Sequence, residues 1–518
     1  MRIHKTGLYT IYLLLFVFLA AGSVLFNGCK DTKQTIFKPT GDTIADGKVL
    51  IQKYCTSCHL AVSPALLTKD IWKFHTLPVM SHYLGLSTYG IDYFKKGPDT
   101  SGISLVEWQL IVSYYIKEAP VALPAAKAPV PLNNDWAGFT LKKPAPDKKA
   151  DYTTMVAVNP LNHKLYTSDV ISSKLYEWDA NLKPRTVAQL PYAAVSADFT
   201  TDEKGGHEGV FSCIGQIMPM DFPNGRIMKV NLDAKSEISN PELIQSDLAR
   251  PVQTIGGDFN KDGLTDWVIL GQGNKVGGVY LMTQKGDHTF TQSNISDKAG
   301  AAQAVVSDFN KDGWPDLMVL FGTGDEGLWL FTNDQKGGFT AKNLIGFPPV
   351  YGSSSFQLAD VNHDGKPDLI YTCGYNYHDS RVLKPYHGLY IFLNEGDWKF
   401  RQSYFYPING CTKAIAADFD GDGDIDIATI AFFADMKGNP AESFIYFEQD
   451  KSMGFKPHAI PVSKYGHWMD MDVADMNNDG KPDIVLGNYS NGLTIQPDLK
   501  PTWEEHLPFV ILENHTKK

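Results

Sequence analysis

Hydrophobic and polar positions change rhythm twice along the chain. Leu8 to Phe26 is an apolar run behind Arg2 and Lys5. Further on the period is helical: Gly47, Leu50, Ile51 and Tyr54 fall at i, i+3, i+4 and i+7, one face of a helix. Ser104-Leu-Val-Glu107 reads as a capping box, and Leu105, Trp108, Val112 and Tyr115 share a face of the helix it opens, which runs to about Glu118. From residue 136 the apolar runs are short and separated by polar turns, the pattern of strands. Around residue 360 they are Ser355 to Ala359, Leu369 to Thr372, Gly388 to Leu393 and Lys399 to Tyr406, which predicts four antiparallel strands.

Between the first and second runs of five such units lies an acidic loop. The fullest is Asp418-Phe-Asp-Gly-Asp-Gly-Asp-Ile-Asp426, with carboxylates at positions 1, 3, 5 and 9 and Gly423 at position 6. The five sets of candidate ligands are Asp258, Asn260, Asp262 and Asp266; Asp308, Asn310, Asp312 and Asp316; Asp360, Asn362, Asp364 and Asp368; Asp418, Asp420, Asp422 and Asp426; and Asp475, Asn477, Asp479 and Asp483. Clustered side-chain oxygens suit Ca2+, which takes six to eight oxygen ligands in flexible geometry. An EF-hand is excluded, because position 12 is Ile269, Val319, Tyr371, Thr429 or Leu486 instead of Glu, and strands follow instead of helices.

The loops start 50, 52, 58 and 57 residues apart, a period that suggests propeller blades. Asp198-Phe-Thr-Thr-Asp202 is a degraded copy without a metal set, and Val156 to Asn162 with Leu165-Tyr166 starts a further blade, so seven repeats result. The last has room for three strands, ending at Phe509 to Glu513; Gly138 to Lys143 is expected to supply its fourth and so close the ring. These units resemble FG-GAP or VCBS-type repeats, as in integrin alpha-subunit propellers, whose calcium loop joins the first two strands of a blade. The resemblance implies about five Ca2+ ions with a stiffening role.

The charge supports this. The 518 residues are 43% hydrophobic and 20% charged, ordinary globular material with room for more than one domain, and the formal charge is −11. Sixteen carboxylates lie at positions 1, 3, 5 and 9 of the loops, four in the loop at 418 and three in each of the others; five Ca2+ would add +10. The acidity is therefore metal-binding, and the balance argues against nucleic acid as a partner.

The helical stretch holds Cys55-Thr-Ser-Cys58-His59. Two thiols three residues apart followed by His suit covalent attachment of one haem c through two thioethers, with His59 as the proximal ligand. A zinc half-site would need a second ligand pair nearby, and a thioredoxin-like dithiol a surrounding βαβ pattern. The pattern resembles a small mono-haem cytochrome c, in which an N-terminal and a C-terminal helix cross at a glycine. That family implies a distal Met on a loop; Met80 matches, while His75, His82 and an open site stay as alternatives. Gly47, with Trp108 or Tyr115 opposite, matches the helix crossing.

Residues 1–29 read as a signal peptide whose end, Phe26-Asn-Gly-Cys29, resembles a bacterial lipobox, so Cys29 would carry the lipid; an uncleaved membrane anchor is the alternative. Either way the protein is expected outside the cytoplasm, in a bacterial periplasm or at the outer membrane. The expected organisation is multi-domain: a stem at 30–42, a small all-α cytochrome c domain at 43–120, a Pro/Ala-rich linker at 121–135, and an all-β seven-bladed propeller at 136–518. The proline-rich residues 119–134 would reach about 50 Å if extended, making the first domain a tethered one.

The propeller face opposite the acidic loops carries two polar clusters, Tyr375, Asn376, His378, Asp379, Arg381, Tyr386 and His387, and Tyr465, His467, Trp468 and Asp470, with a third long loop from Asn488 to His506. They are solvated loops or a pocket for a carbohydrate or other polar ligand. Cys373 and Cys411 map to that face in neighbouring blades, where a disulfide is an option. Hydrolase, P-loop and dinucleotide motifs are absent. Three functions follow: an exported electron-transfer protein that docks a redox partner protein on its propeller; an oxidoreductase that passes electrons from a substrate such as a sugar to the haem; or a glycan-binding or adhesion module.

Overall fold

The computed structural model describes residues 37–86, 102–218, 220–234, 238–376, 382–450, 453–493, 496 and 499–516. The signal sequence and Cys29, together with His378, Asp379 and Arg381, lie outside them.

The helical part comprises α1 (Thr43–Tyr54), a short α2 (Lys69–Ile71) that runs through Trp72–Thr76 into α3 (Leu77–Tyr83), and α4 (Leu105–Glu118). Asp42 caps α1 by accepting from the amides of Ile44 and Ala45. Ser104 and Glu107 form the expected capping box on α4. Glu107 also accepts from the Tyr54 hydroxyl at 2.9 Å, tying α4 to the end of α1. The helices cross where a side chain on Gly47 would lie 2.5 Å from Tyr114 Cβ and 2.9 Å from the Leu110 carbonyl. The crossing glycine was legible, but Tyr114 is its neighbour; Trp108 and Tyr115 face the core beside Leu50 and Ile111. Among the described residues no helix is long and apolar enough to cross a membrane.

Seven four-stranded antiparallel sheets follow. Blades 1 to 6 run in sequence order over residues 153–189, 194–248, 251–296, 301–346, 353–407 and 413–458. In blade 7 the strands Trp468–Ala474, Asp483–Asn488 and Phe509–Asn514 are completed by Phe139–Lys142, so the two ends of the propeller close one sheet. Phe139 is buried against Phe419 and Tyr446 of blade 6. The second strand of blades 3 to 7 is buried throughout, because neighbouring blades cover both its faces.

Innermost strands join blade to blade through polar side chains. Asp198 accepts from Gly256 N, Gln253 Oε1 from Ala304 N, Gln303 Oε1 from Phe356 N, and Gln357 Oε1 from Ala416 N. Lys413 pairs with Asp470 at 2.8 Å, Asp470 and Asp472 accept from Val156 N and Val158 N, and the Thr154 hydroxyl donates to the Ala194 carbonyl. Every one of the seven interfaces is therefore bonded. Asp198, read as a vestige of a metal loop, sits within a strand and serves this ring.

The proline-rich connector is not a free tether. The Tyr406 hydroxyl donates to the Val130 carbonyl, Asn133 bridges to His458, and Ala128 and Leu132 pack on the core of blades 5 and 6. Prolines lack amide donors, so such a chain follows the blade edge with few bonds of its own. The helical part sits on the propeller face opposite the acidic loops. Val350 and Tyr386 join its hydrophobic cluster, and the Tyr386 hydroxyl donates to the Leu66 carbonyl at 2.9 Å.

Candidate functional site

Where the helical part meets the propeller there is a cavity of about 740 Å3. Cys55, Cys58, His59 and Met80 all line it. Cys55 caps α1, and His59 follows on the turn that leaves the helix. The Leu60 carbonyl lies 2.7 Å from His59 Nδ1. A carbonyl only accepts, so Nδ1 is the donor; in the neutral imidazole Nε2 then keeps its lone pair, the form needed to bind a metal. Burial pushes the Cys55 thiol up to about 11, with the Cys58 charge adding to the effect. A thiol so raised is a poor nucleophile, unlike the lowered thiols of redox dithiols.

Met80 comes from α3, a helix where a loop was expected, and is half-buried against the helical core. The turn through Trp72–Thr76 leads into this helix, and Trp72 is anchored by its indole N–H on the Pro64 carbonyl at 2.9 Å. His75 and His82 are exposed and do not line the cavity. The walls between these groups are largely apolar: Val62, Trp72, Leu77, Leu84, Ile111 and Tyr115.

Half of the lining residues belong to the propeller. Met220, Phe222, Asn274 and Lys275 come from blades 2 and 3, Glu326 and Val350 from loops around blade 4, and Tyr375, Asn376 and Lys384 from blade 5. Tyr375 and Asn376 belong to the first polar cluster read from sequence. Met220, Phe222, Lys275, Glu326 and Lys384 were missed; no local pattern marks them, because only docking of the helices makes them neighbours. Of the second cluster, His467 and Trp468 are core residues at 1% and 0% exposure, and Asp470 is engaged in the blade ring. Cys373 and Cys411 are free, buried thiols, and Cys373 donates to the Tyr386 carbonyl.

The five acidic loops share one geometry. Position 1 accepts from the amide of the position-6 glycine, at 3.0 Å in the pair Asp258 and Gly263. Those glycines have φ between 81° and 98°, a conformation that favours glycine. The aspartates at position 9 are 0–1% exposed, and each accepts from the position-2 amide and from the third strand, as Asp266 does from Phe259 and Gln284. In the loop at 418, carboxylate oxygens of Asp418, Asp420 and Asp426 lie within 4.8 Å of one another. Burial, with the nearby Asp420 charge, pushes Asp426 up to about 6.

Residues 258–319 and 308–371 match the FG-GAP-like repeat family. With the seven sheets, this defines the main body as a β-propeller containing FG-GAP repeats, a platform suited to docking a protein or a ligand. The T-cell immunomodulatory protein homolog of Plasmodium falciparum is 32% identical over 111 residues, 19% of this chain and 14% of that protein. The chain thus spans about a seventh of that relative's length. Among solved structures, selenomethionine-substituted virginiamycin B lyase from Staphylococcus aureus aligns at TM-score 0.45 and 10% identity, over 72% of this chain and 98% of that one. BBS1N in complex with ARL6DN aligns at TM-score 0.34 and 13% identity, over 54% and 74% of the two chains.

Proposed function

We propose that the protein is an exported electron carrier of the c-type cytochrome class, with its haem held between the helices and the propeller. The observation that carries this reading is the convergence of Cys55, Cys58, His59 and Met80 on one largely apolar cavity. Its volume, about 740 Å3, falls in the range of cofactor pockets. Cys55 and Cys58 would hold the haem through thioethers, and His59 Nε2 and Met80 Sδ would be available to its iron. A haem so held would supply one-electron chemistry, with the thioether raising the potential. Leu60 orients the His59 ring, while the aliphatic and aromatic walls would give the haem apolar surroundings. Redox titration of the full chain, followed by visible spectroscopy, tests the reading. Reversible one-electron reduction supports it; a folded protein without a redox-active chromophore contradicts it.

The same reading assigns Ca2+ to the acidic loops. Three converging carboxylates at 418 repel one another unless a cation lies among them, and hard oxygens select Ca2+. The ions would stiffen blades on the face away from the cavity. Export and a lipid on Cys29 complete the proposal, since haem c and its redox partner protein would then share one extracytoplasmic compartment. The free propeller surface is left to that partner or to a polar ligand such as a carbohydrate.

A further inference from the structure

The propeller wall of the cavity contains three buried polar side chains, Glu326, Asn376 and Lys384, each 2% exposed. Glu326 is fully engaged: its oxygens accept from Gly352 N at 3.1 Å, Ser353 N at 2.9 Å and the Ser353 hydroxyl at 2.7 Å. Asn376 donates to the Val382 carbonyl at 2.7 Å, but its Oδ1 has no partner among the described residues. Lys384 donates to the Val350 carbonyl at 2.9 Å and forms no ion pair among the described residues. An ammonium carries three donors. Buried outside an ion pair it is destabilising. Burial accordingly draws Lys384 down to about 8, with the buried Glu326 carboxylate on the same wall and Cys373 acting in the opposite sense. The other cation on the cavity wall, Lys275, is exposed and lies over the Tyr83 ring.

We infer that Lys384 is a counter-ion supplied by the propeller for a carboxylate of the group that fills the cavity, a carboxylate of the haem itself. The inference rests on the haem reading and extends it. Haem carries two carboxylates on its rim, and one of them taken out of water needs a cation. Among the described residues the helical part lines the cavity with no lysine or arginine; the propeller brings Lys384 there, donating to the Val350 carbonyl. The propeller is then the second half of the cofactor site. Lys384 also acts on the potential, because a buried positive charge disfavours the oxidised, more positive iron.

The test uses the full-length protein with haem attached. In Lys384→Met and Lys384→Gln the midpoint potential at pH 7 falls while covalent haem content stays at the wild-type level; Lys384→Arg keeps the wild-type midpoint. Unchanged midpoints in both neutral variants, with haem attached, overturn the inference and leave the proposed function standing. Absence of haem from the wild type overturns both. Sodium acetate, titrated at constant ionic strength, separates the two sources of a carboxylate. With Lys384 engaged by the haem, the wild-type spectrum does not respond. A saturable response in the wild type that Lys384→Met lacks would assign the position to a free carboxylate and overturn the haem assignment.

Discussion

Gly47 shows what a single position demands. A methyl there would meet Tyr114 Cβ at 2.5 Å and the Leu110 carbonyl at 2.9 Å, so the helices would have to move apart. Gly47→Ala is expected to destabilise the helical part by about 1–3 kcal/mol, the usual range for overpacking, seen as earlier loss of helical signal on heating while the strand signal is unaffected. The sequence pattern found this glycine but named the wrong neighbour. Periodicity identifies a buried face, here Trp108, Ile111 and Tyr115, yet the crossing falls at its edge, on Leu110 and Tyr114. Glu442, in the loop after the second strand of blade 6, carries a pH dependence. It is 5% exposed and burial pushes it up to about 7, while backbone and side-chain donors from Asp435 and Asn409 pull the other way. A carboxyl raised in the folded state stabilises below its unfolded pKa, and that contribution is lost as pH rises through about 7. Glu442→Gln should therefore flatten the fall in stability between about pH 4.5 and 7 in urea titrations, the two ends of the window being the unfolded and folded pKa values.

At the scale of elements, the blades were legible because each repeats one order of runs and loops, and position 9 of each loop opens a buried strand. The closing strand was legible because the last repeat has room for only three strands and Gly138 to Lys143 resembles the outer-strand segments Gly338 to Lys342 and Gly454 to His458. Phe139→Ala removes a ring buried on Phe419 and Tyr446. It is expected to cost about 3–5 kcal/mol in urea unfolding of the propeller. The acidic loops carry a second expectation. Chelation with EGTA should lower the propeller's melting temperature and added Ca2+ should restore it, each site at a hundredfold excess over its Kd contributing about 2.7 kcal/mol. Asp418→Ala should weaken that response and leave the other loops intact. A melting temperature indifferent to EGTA would leave the aspartates with only the hydrogen bonds they already make to the loop backbone. Those bonds were not legible, since position 9 was read as a ligand and its role as an acceptor from the loop and the third strand leaves no local pattern.

At the scale of the whole molecule, seven blades preceded by helices were legible, but the course of the connector between them was not. Proline content suggested an extended tether, whereas Tyr406 and His458 hold the connector along the blade edge, and Val350 and Tyr386 complete the helical core. The cavity exists because of that docking, so half of its wall could not be read from any local motif. The central claim is that Cys55, Cys58 and His59 hold a haem in this cavity. Intact mass and pyridine haemochrome spectra of the full chain, produced in cells that attach haem c, test it most directly. One covalently bound haem per chain, lost in Cys55→Ala/Cys58→Ala while the propeller stays folded, is the expected result. A folded wild-type chain carrying no covalent haem would contradict it.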